Sequence, residues 1–248
     1  MKRIIPVLIF LLAAAGLTAE PDQKTGPEAG NGMLQIRIEE GEHYLHRVPV
    51  FLFIAVKAPT QLALWLEDMD GNFIRTLFVT SRTALSDWRK APGDKTQKEN
   101  LRRPESLPLW THRSTGSTAD RWDGPLPGVD AVSSATPKSG FSIQADLPEG
   151  VSRFRILAEV NASLDFNHSY PEEAEKGSSR YSGGPWGSGQ PALVYAAEVD
   201  RSETGAGPLE LELQGHSSPD GSTGELYTDM DGITTAREII GKIEAELR

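Results

Sequence analysis

The chain contains no cysteine. Structural disulfides, thiol nucleophiles, thiolate zinc sites and iron–sulfur clusters are thereby excluded, as is lipoprotein anchoring through an N-terminal cysteine. Positive charge is also scarce: 25 Lys and Arg stand against 35 Asp and Glu, a formal net charge of −10. Nucleic-acid binding, which draws on a positive surface to release phosphate counterions, is disfavoured. Adhesion of a basic patch to an anionic membrane is disfavoured for the same reason. Aromatic residues (7%) and hydrophobic residues as a whole (38%) are lean. In their place stand 24 Gly and 17 Pro in 248 residues, the composition of a loop-rich β protein. That length suffices for one large or two small domains with a buried core.

One long apolar run exists, at the start. Lys2 and Arg3 precede the 14 residues from Ile4 to Leu17, which are followed by Thr18, Ala19 and the acidic Glu20. A basic start, an apolar stretch and a small-residue exit make a secretory signal peptide. The stretch falls short of the roughly 20 residues that span a bilayer, and Pro6 interrupts it. Cleavage is expected near Ala19, with residues 1–19 removed, no membrane span left, and a periplasmic or secreted location. Loss of Lys2 and Arg3 takes the charge from −10 to −12. Residues 20–32, rich in Gly, Pro and acids, read as a flexible lead-in.

Residues 33–233 read as strands. Leu34, Ile36 and Ile38 alternate with Gln35, Arg37 and Glu39 as in a half-buried strand. Val50 to Val56 is apolar without alternation, which predicts a central strand covered on both faces. Gln61 to Glu67 and Phe73 to Thr80 flank Asp68-Met69-Asp70-Gly71-Asn72, and its Asp-Gly pair supplies the left-handed turn of a hairpin. Phe141 to Ala145, Phe154 to Val160, Leu193 to Val199 and Leu209 to Leu213 complete about eight strands. Residues 81–140 and 165–190 are left as long connections, which in compact domains are functional or disordered. Over 234–248 the period changes: Thr235 and Glu238 are spaced as a capping box, and Ile239, Ile240, Ile243 and Leu247 form a helical stripe. The expectation is an all-β, antiparallel Ig-like sandwich with one C-terminal α-helix.

Several segments resemble a known family. Leu64-Trp65-Leu66-Glu67-Asp68 through Gly71, with Arg75-Thr76-Leu77, Asp130 to Pro137, Glu159-Val160-Asn161, Asp165-Phe166-Asn167 and Gly189-Gln190-Pro191 before Leu193-Val194-Tyr195, is similar to the periplasmic family filed as domain of unknown function 2271. The likeness spans roughly Gln61 to Asp200 and extends toward Ile233-Thr234-Thr235-Ala236. It implies an Ig-like sandwich outside the cytoplasm without an assigned activity. The family's usual surroundings imply a role accessory to membrane redox, heme or iron systems.

Asp130-Ala131-Val132-Ser133-Ser134-Ala135-Thr136 also resembles the acceptor motif of exported flavoproteins. The resemblance implies Thr136 as the residue esterified by FMN, Asp130 as a recognition carboxylate and Ser133 beside them. Ser134 stands where that motif has Gly, and Pro137 restricts the exit. An ordinary small-residue turn accounts for the segment more simply.

Other chemistry is weaker. His43 and His46 are three apart, which on a strand puts them on opposite faces, so no metal site is expected. Asp68-Met69-Asp70-Gly71-Asn72 and Asp229-Met230-Asp231-Gly232 have calcium-friendly spacing but lack the later bidentate Glu, and turns explain them. No Gly-x-Ser-x-Gly elbow occurs, Gly187-Ser188-Gly189 being too short, and Asp165 and His168 are candidates by composition alone. Trp88, Trp110, Trp122 and Trp186 could stack on sugar rings, whereas burial competes for most of them. The reading is an exported, non-enzymatic binding or scaffold module with an envelope or membrane protein as partner and no cofactor. Its alternatives are a covalent FMN carrier for electron transfer and a carbohydrate-binding module.

Overall fold

The computed structural model describes residues 32–51, 54–86, 88, 102–116, 133–134, 137–203 and 207–248. The expected signal peptide, and the lead-in up to residue 31, lie outside the described residues.

Alternation builds the first sheet. Strand β1 (Met33–Glu40) buries Leu34, Ile36 and Ile38 and turns Met33, Arg37 and Glu39 to solvent. The strand labels follow chain order: β2 (Leu45–Phe51), β3 (Ile54–Pro59), β4 (Gln61–Glu67), β5 (Phe73–Thr80), β6 (Ser133–Ser134), β7 (Phe141–Asp146), β8 (Arg153–Asn161), β9 (Leu193–Asp200), β10 (Leu209–Glu210), β11 (Glu212–His216) and β12 (Ile240–Leu247). One sheet has the order β10-β12-β1-β7, a second the order β11-β9-β8-β4-β5-β6, and β2 pairs with β3 alone. All pairings are antiparallel except the two-residue contact of β6 with β5.

The two larger sheets face each other across one apolar core, giving the antiparallel β-sandwich expected. Leu34, Ile36 and Ile38 of β1 and Ile243 and Ala245 of β12 meet Leu62, Leu64 and Leu66 of β4 and Phe154, Ile156, Ala158 and Val160 of β8. The other face of the larger sheet is covered as well. Ala63 and Trp65 of β4, Leu157 of β8 and Val194 of β9 pack under Leu107, Leu109 and Trp110, the last two on helix α2 (Pro108–Thr115). Helix α1 (Ser81–Ala84) adds Ala84 to this second cluster. The connection 81–140 thus carries a helical cover, and β4 is buried along its whole length.

The hairpin between β4 and β5 forms as read. Asp68 Oδ1 accepts from the Asp70 and Asn72 amides, Asp68 Oδ2 accepts from Asn72 Nδ2, and Gly71 is left-handed at φ +83°. Leu64 pairs with Phe78, so Trp65 and Phe78 come from adjacent strands.

Three local expectations are corrected. Residues 234–248 form no α-helix: Thr235–Glu238 is one 3₁₀ turn and the rest is β12. The helical stripe is produced by a bulge. Glu39 pairs with Lys242 and Glu40 with Ile240, so Gly241 is an extra residue that spaces the inward Ile240 and Ile243 three apart. Beyond it Ile243 and Ala245 alternate inward, as strand residues do. Second, Val50 to Val56 is no single central strand, because the chain reverses between β2 and β3 and Val48 pairs with Val56. An unbroken apolar run does not mark the reversal inside it. Third, Leu209 to Leu213 serves both sheets. β10 pairs with β12, β11 pairs with β9, and buried Leu211 makes the crossing, its amide donating to Ile243 O at 2.9 Å. Among the described residues no helix is long and apolar enough to cross a membrane.

Candidate binding groove

The side of the larger sheet away from the sandwich core buries polar groups, and these hold the cover and the loops in place. Glu159 sits on β8 between inward Ala158 and Val160, so alternation turns it to this side. Its carboxylate accepts from the Leu109 and Trp110 amides at 3.1 and 2.8 Å and from Ser217 Oγ at 2.5 Å. It therefore caps the N-terminal turn of α2, where free amides point outward and the helix dipole is positive. Burial nevertheless pushes the carboxyl up to about 7 against those donors. Glu67, also buried, accepts from Trp65 Nε1 at 2.9 Å and lies 3.7 Å from Arg113 and 4.0 Å from Arg155.

A second network ties the long connection 165–190 to the C-terminal crossing. Asp165 accepts from Thr235 Oγ1 at 2.6 Å and Gln190 Nε2 at 2.8 Å, while the Gln190 carbonyl oxygen Oε1 accepts from the Thr234 amide at 2.5 Å. Asn167 Nδ2 donates to Gly232 O at 2.8 Å, and Ser188 Oγ donates to Asn161 Oδ1 at 2.9 Å. The segments Glu159 to Asn161, Asp165 to Asn167, Gly189 to Pro191 and Ile233 to Ala236, far apart in sequence, meet in these bonds. Burial raises the Asp165 carboxyl, opposed by the Thr235 hydrogen bond and by His46.

Between the loops so held lies a groove. Residues 102–105, 176–186 and 220–222 bound a cavity of about 540 Å³ whose walls include Trp186, Tyr181 and Glu105. A neighbouring cavity of about 620 Å³, walled by Tyr170, His216 and Tyr227, shares Gly177, Tyr181, Asp220 and Ser222 with it, so the two adjoin across these residues. Both volumes fall in the range of roughly 300–1,000 Å³ typical of small-molecule sites. Across the two cavities four basic side chains, Arg102, Arg103, Lys176 and Arg180, match four acidic ones, Glu105, Asp220, Asp229 and Asp231.

The walls are set by the backbone. Gly183 is left-handed at φ +99°, and a Cβ there would lie 2.5 Å from Glu105 Oε1, so only glycine lets the carboxylate approach. Glu105 is 5% exposed and Trp186 39% exposed, one the buried wall and the other the open lip. Arg103 is fixed by stacking over Trp88 at 4.8 Å. Burial pushes the Glu105 carboxyl up to about 7, opposed by its own backbone amide and by Arg103 and aided by Asp220. For Asp220 burial acts the same way but is outweighed by hydrogen bonds from Ser222 and Ser218, which hold it below the usual range.

The sequence-derived candidates scatter. Thr136, Asp130 and Trp122 lie outside the described residues, and Ser133 is placed only by its backbone, beside Val79 in β6. Trp110 is corrected: it is wholly buried, with Nε1 donating to Thr76 Oγ1 at 3.0 Å, and offers no face to a ligand. Trp186 is at the groove. His43 pairs with Glu238 at 2.9 Å and His46 Nε2 lies 3.2 Å from Leu164 O, and among the described residues no metal-ligating cluster of three or more forms. Sequence reading missed Glu105, Tyr181 and Tyr227. The available signal was Glu105-Ser106 embedded before the apolar run of α2, and the Tyr181 to Gly189 stretch in which glycines surround a tryptophan. No protein-family model matches this chain, and no curated protein or solved structure matches it either.

Proposed function

We propose that the chain is a non-enzymatic β-sandwich binding module, exported to the cell envelope, whose ligand seats in the groove between the 176–186 and 216–231 loops. The carrying observation is the exposed indole of Trp186 at the lip of a cavity walled by a buried carboxylate. Large apolar faces beside a few convergent polar groups are the usual make-up of a ligand site. The N-terminal basic, apolar and small-residue pattern supports export. The hydroxyl of Ser188 supports the non-enzymatic reading, because it is committed to Asn161 Oδ1 and Glu105 O and is buried. Asp165 is likewise committed to Thr235 and Gln190.

The test is ligand-observed saturation-transfer NMR on the full chain with three probe sets: neutral oligosaccharides, dipeptides and nucleotides. One set is expected to bind, with at least tenfold weaker binding in Trp186→Ala. Absence of binding by all three, or binding indifferent to Trp186→Ala, would overturn the reading. Turnover of any probe, lost in Glu105→Gln, would contradict the non-enzymatic part.

A further inference from the structure

Four carboxylates lie buried among the described residues: Glu67, Glu105, Glu159 and Asp165. Three of them are met by side-chain donors. Glu67 has Trp65 and two arginines, Glu159 has Ser217, and Asp165 has Thr235 and Gln190. Glu105 differs: among the described residues no side chain donates to it, and its one donor is its own backbone amide. A carboxylate taken out of water without partners is costly unless something else supplies them. It lines the same cavity as Tyr181 and Trp186, its carboxylate close against Gly183.

The chemistry of the missing donor can be read from the walls. Acidic and basic side chains are equal in number along the two cavities, which fits neither a phosphorylated ligand nor a polycation, since each needs one sign in excess. Aromatic faces next to hydrogen-bonding groups suit a molecule with apolar C–H faces and hydroxyl edges. Two adjoining cavities that share Tyr181 and Asp220 suit a ligand of several rings.

Building on the binding-module reading, we propose that the groove binds a neutral oligosaccharide, with one sugar ring stacked on Trp186 and a ring hydroxyl donating to the Glu105 carboxylate. Binding adds a donor to Glu105, which receives none from the described side chains, and Tyr181 lines both cavities.

The experiment is isothermal titration of the full chain with cellotriose, maltotriose and chitotriose, paired with thermal melts of each variant. One trisaccharide is expected to bind, and both Trp186→Ala and Glu105→Gln are expected to weaken it at least tenfold. Glu105→Gln is expected to melt no lower than the parent, because it removes a buried charge and breaks no side-chain bond. A lower melting temperature for Glu105→Gln, with sugar affinity unchanged, would make Glu105 a structural residue and overturn the proposal. Binding of dipeptides or nucleotides at Trp186 without any sugar binding would overturn the proposal and leave the binding-module reading standing. No binding of any probe would overturn both.

Discussion

The two faces of the larger sheet bury different chemistry. On β4 and β8 the face toward the sandwich carries Leu62, Leu64, Leu66, Phe154, Ile156, Ala158 and Val160, hydrocarbon throughout. The opposite face of the same strands carries Gln61, Trp65, Glu67, Glu159 and Asn161, equally buried and largely polar. The first face holds the fold together without specifying anything beyond it. The second is a set of directed bonds: Glu159 positions α2, Asn161 receives Ser188 of the connection toward Trp186, and Gln61 receives Thr80 and Thr83. Hydrocarbon packing tolerates repacking, whereas a buried carboxylate accepts one arrangement of donors and so fixes the loops that line the groove.

The contrast can be broken most severely from the apolar side. Phe154→Ala empties a fully buried position of the core and is expected to cost about 3–5 kcal/mol. Chemical denaturation should show one lowered midpoint for the whole domain. Glu159→Ala acts on the polar side. It leaves the Leu109 and Trp110 amides without their acceptor and the Ser217 hydroxyl with only its longer bond to Ala192 O, at a cost of about 1–3 kcal/mol. The loss should concentrate in α2, so that hydrogen exchange accelerates at residues 109–115 ahead of the β1 and β12 amides.

A smaller, pH-dependent effect sharpens the same contrast. Glu159 and Glu105 stand near 7 in the folded chain against an ordinary 4.5. Between those values the folded chain keeps a proton that the unfolded chain has lost, so stability falls as pH rises from about 4.5 through about 7 and levels off above. Each group contributes at most about 1.4 kcal/mol per pH unit. Melting temperature measured across this window should decline, and the decline should be shallower in Glu105→Gln, which removes one of the raised carboxyls while Glu159 and Asp165 keep theirs. A slope identical to the parent's would refute the assignment. Smallest is Thr76→Val, which deprives Trp110 Nε1 of its acceptor. The expected cost is about 0.5–1.5 kcal/mol, with a shift in near-ultraviolet circular dichroism from the disturbed indole.

The apolar face was legible in the sequence because its signal is periodic. Leu34, Ile36 and Ile38, and Phe154 to Val160, alternate with the period of a strand, and the Asp68 to Asn72 turn carries its own residue code. Periodicity failed where a bulge changed the count, at Gly241, and where one apolar stretch held a reversal, between Val48 and Val56. The polar face is written in long-range pairs such as Asp165 with Thr235 and Glu159 with Ser217, 70 and 58 residues apart. Spacing along the chain does not encode such pairs. Glu159 and Asn161 inside an apolar strand were the one local hint, since a polar residue there needs a buried partner. The groove was less legible again: Trp186 was read as a stacking candidate, but Glu105 and Tyr181 join it only through folding of three separate loops.

The central claim is that the loops held by the polar face form a ligand site around Trp186 and Glu105. Its most direct test is a crystal structure of the full chain soaked with the trisaccharide that binds most tightly. The account predicts one sugar ring flat against the Trp186 indole, with a hydroxyl within hydrogen-bond distance of Glu105. A trisaccharide bound elsewhere on the sandwich, with the groove empty, would contradict it.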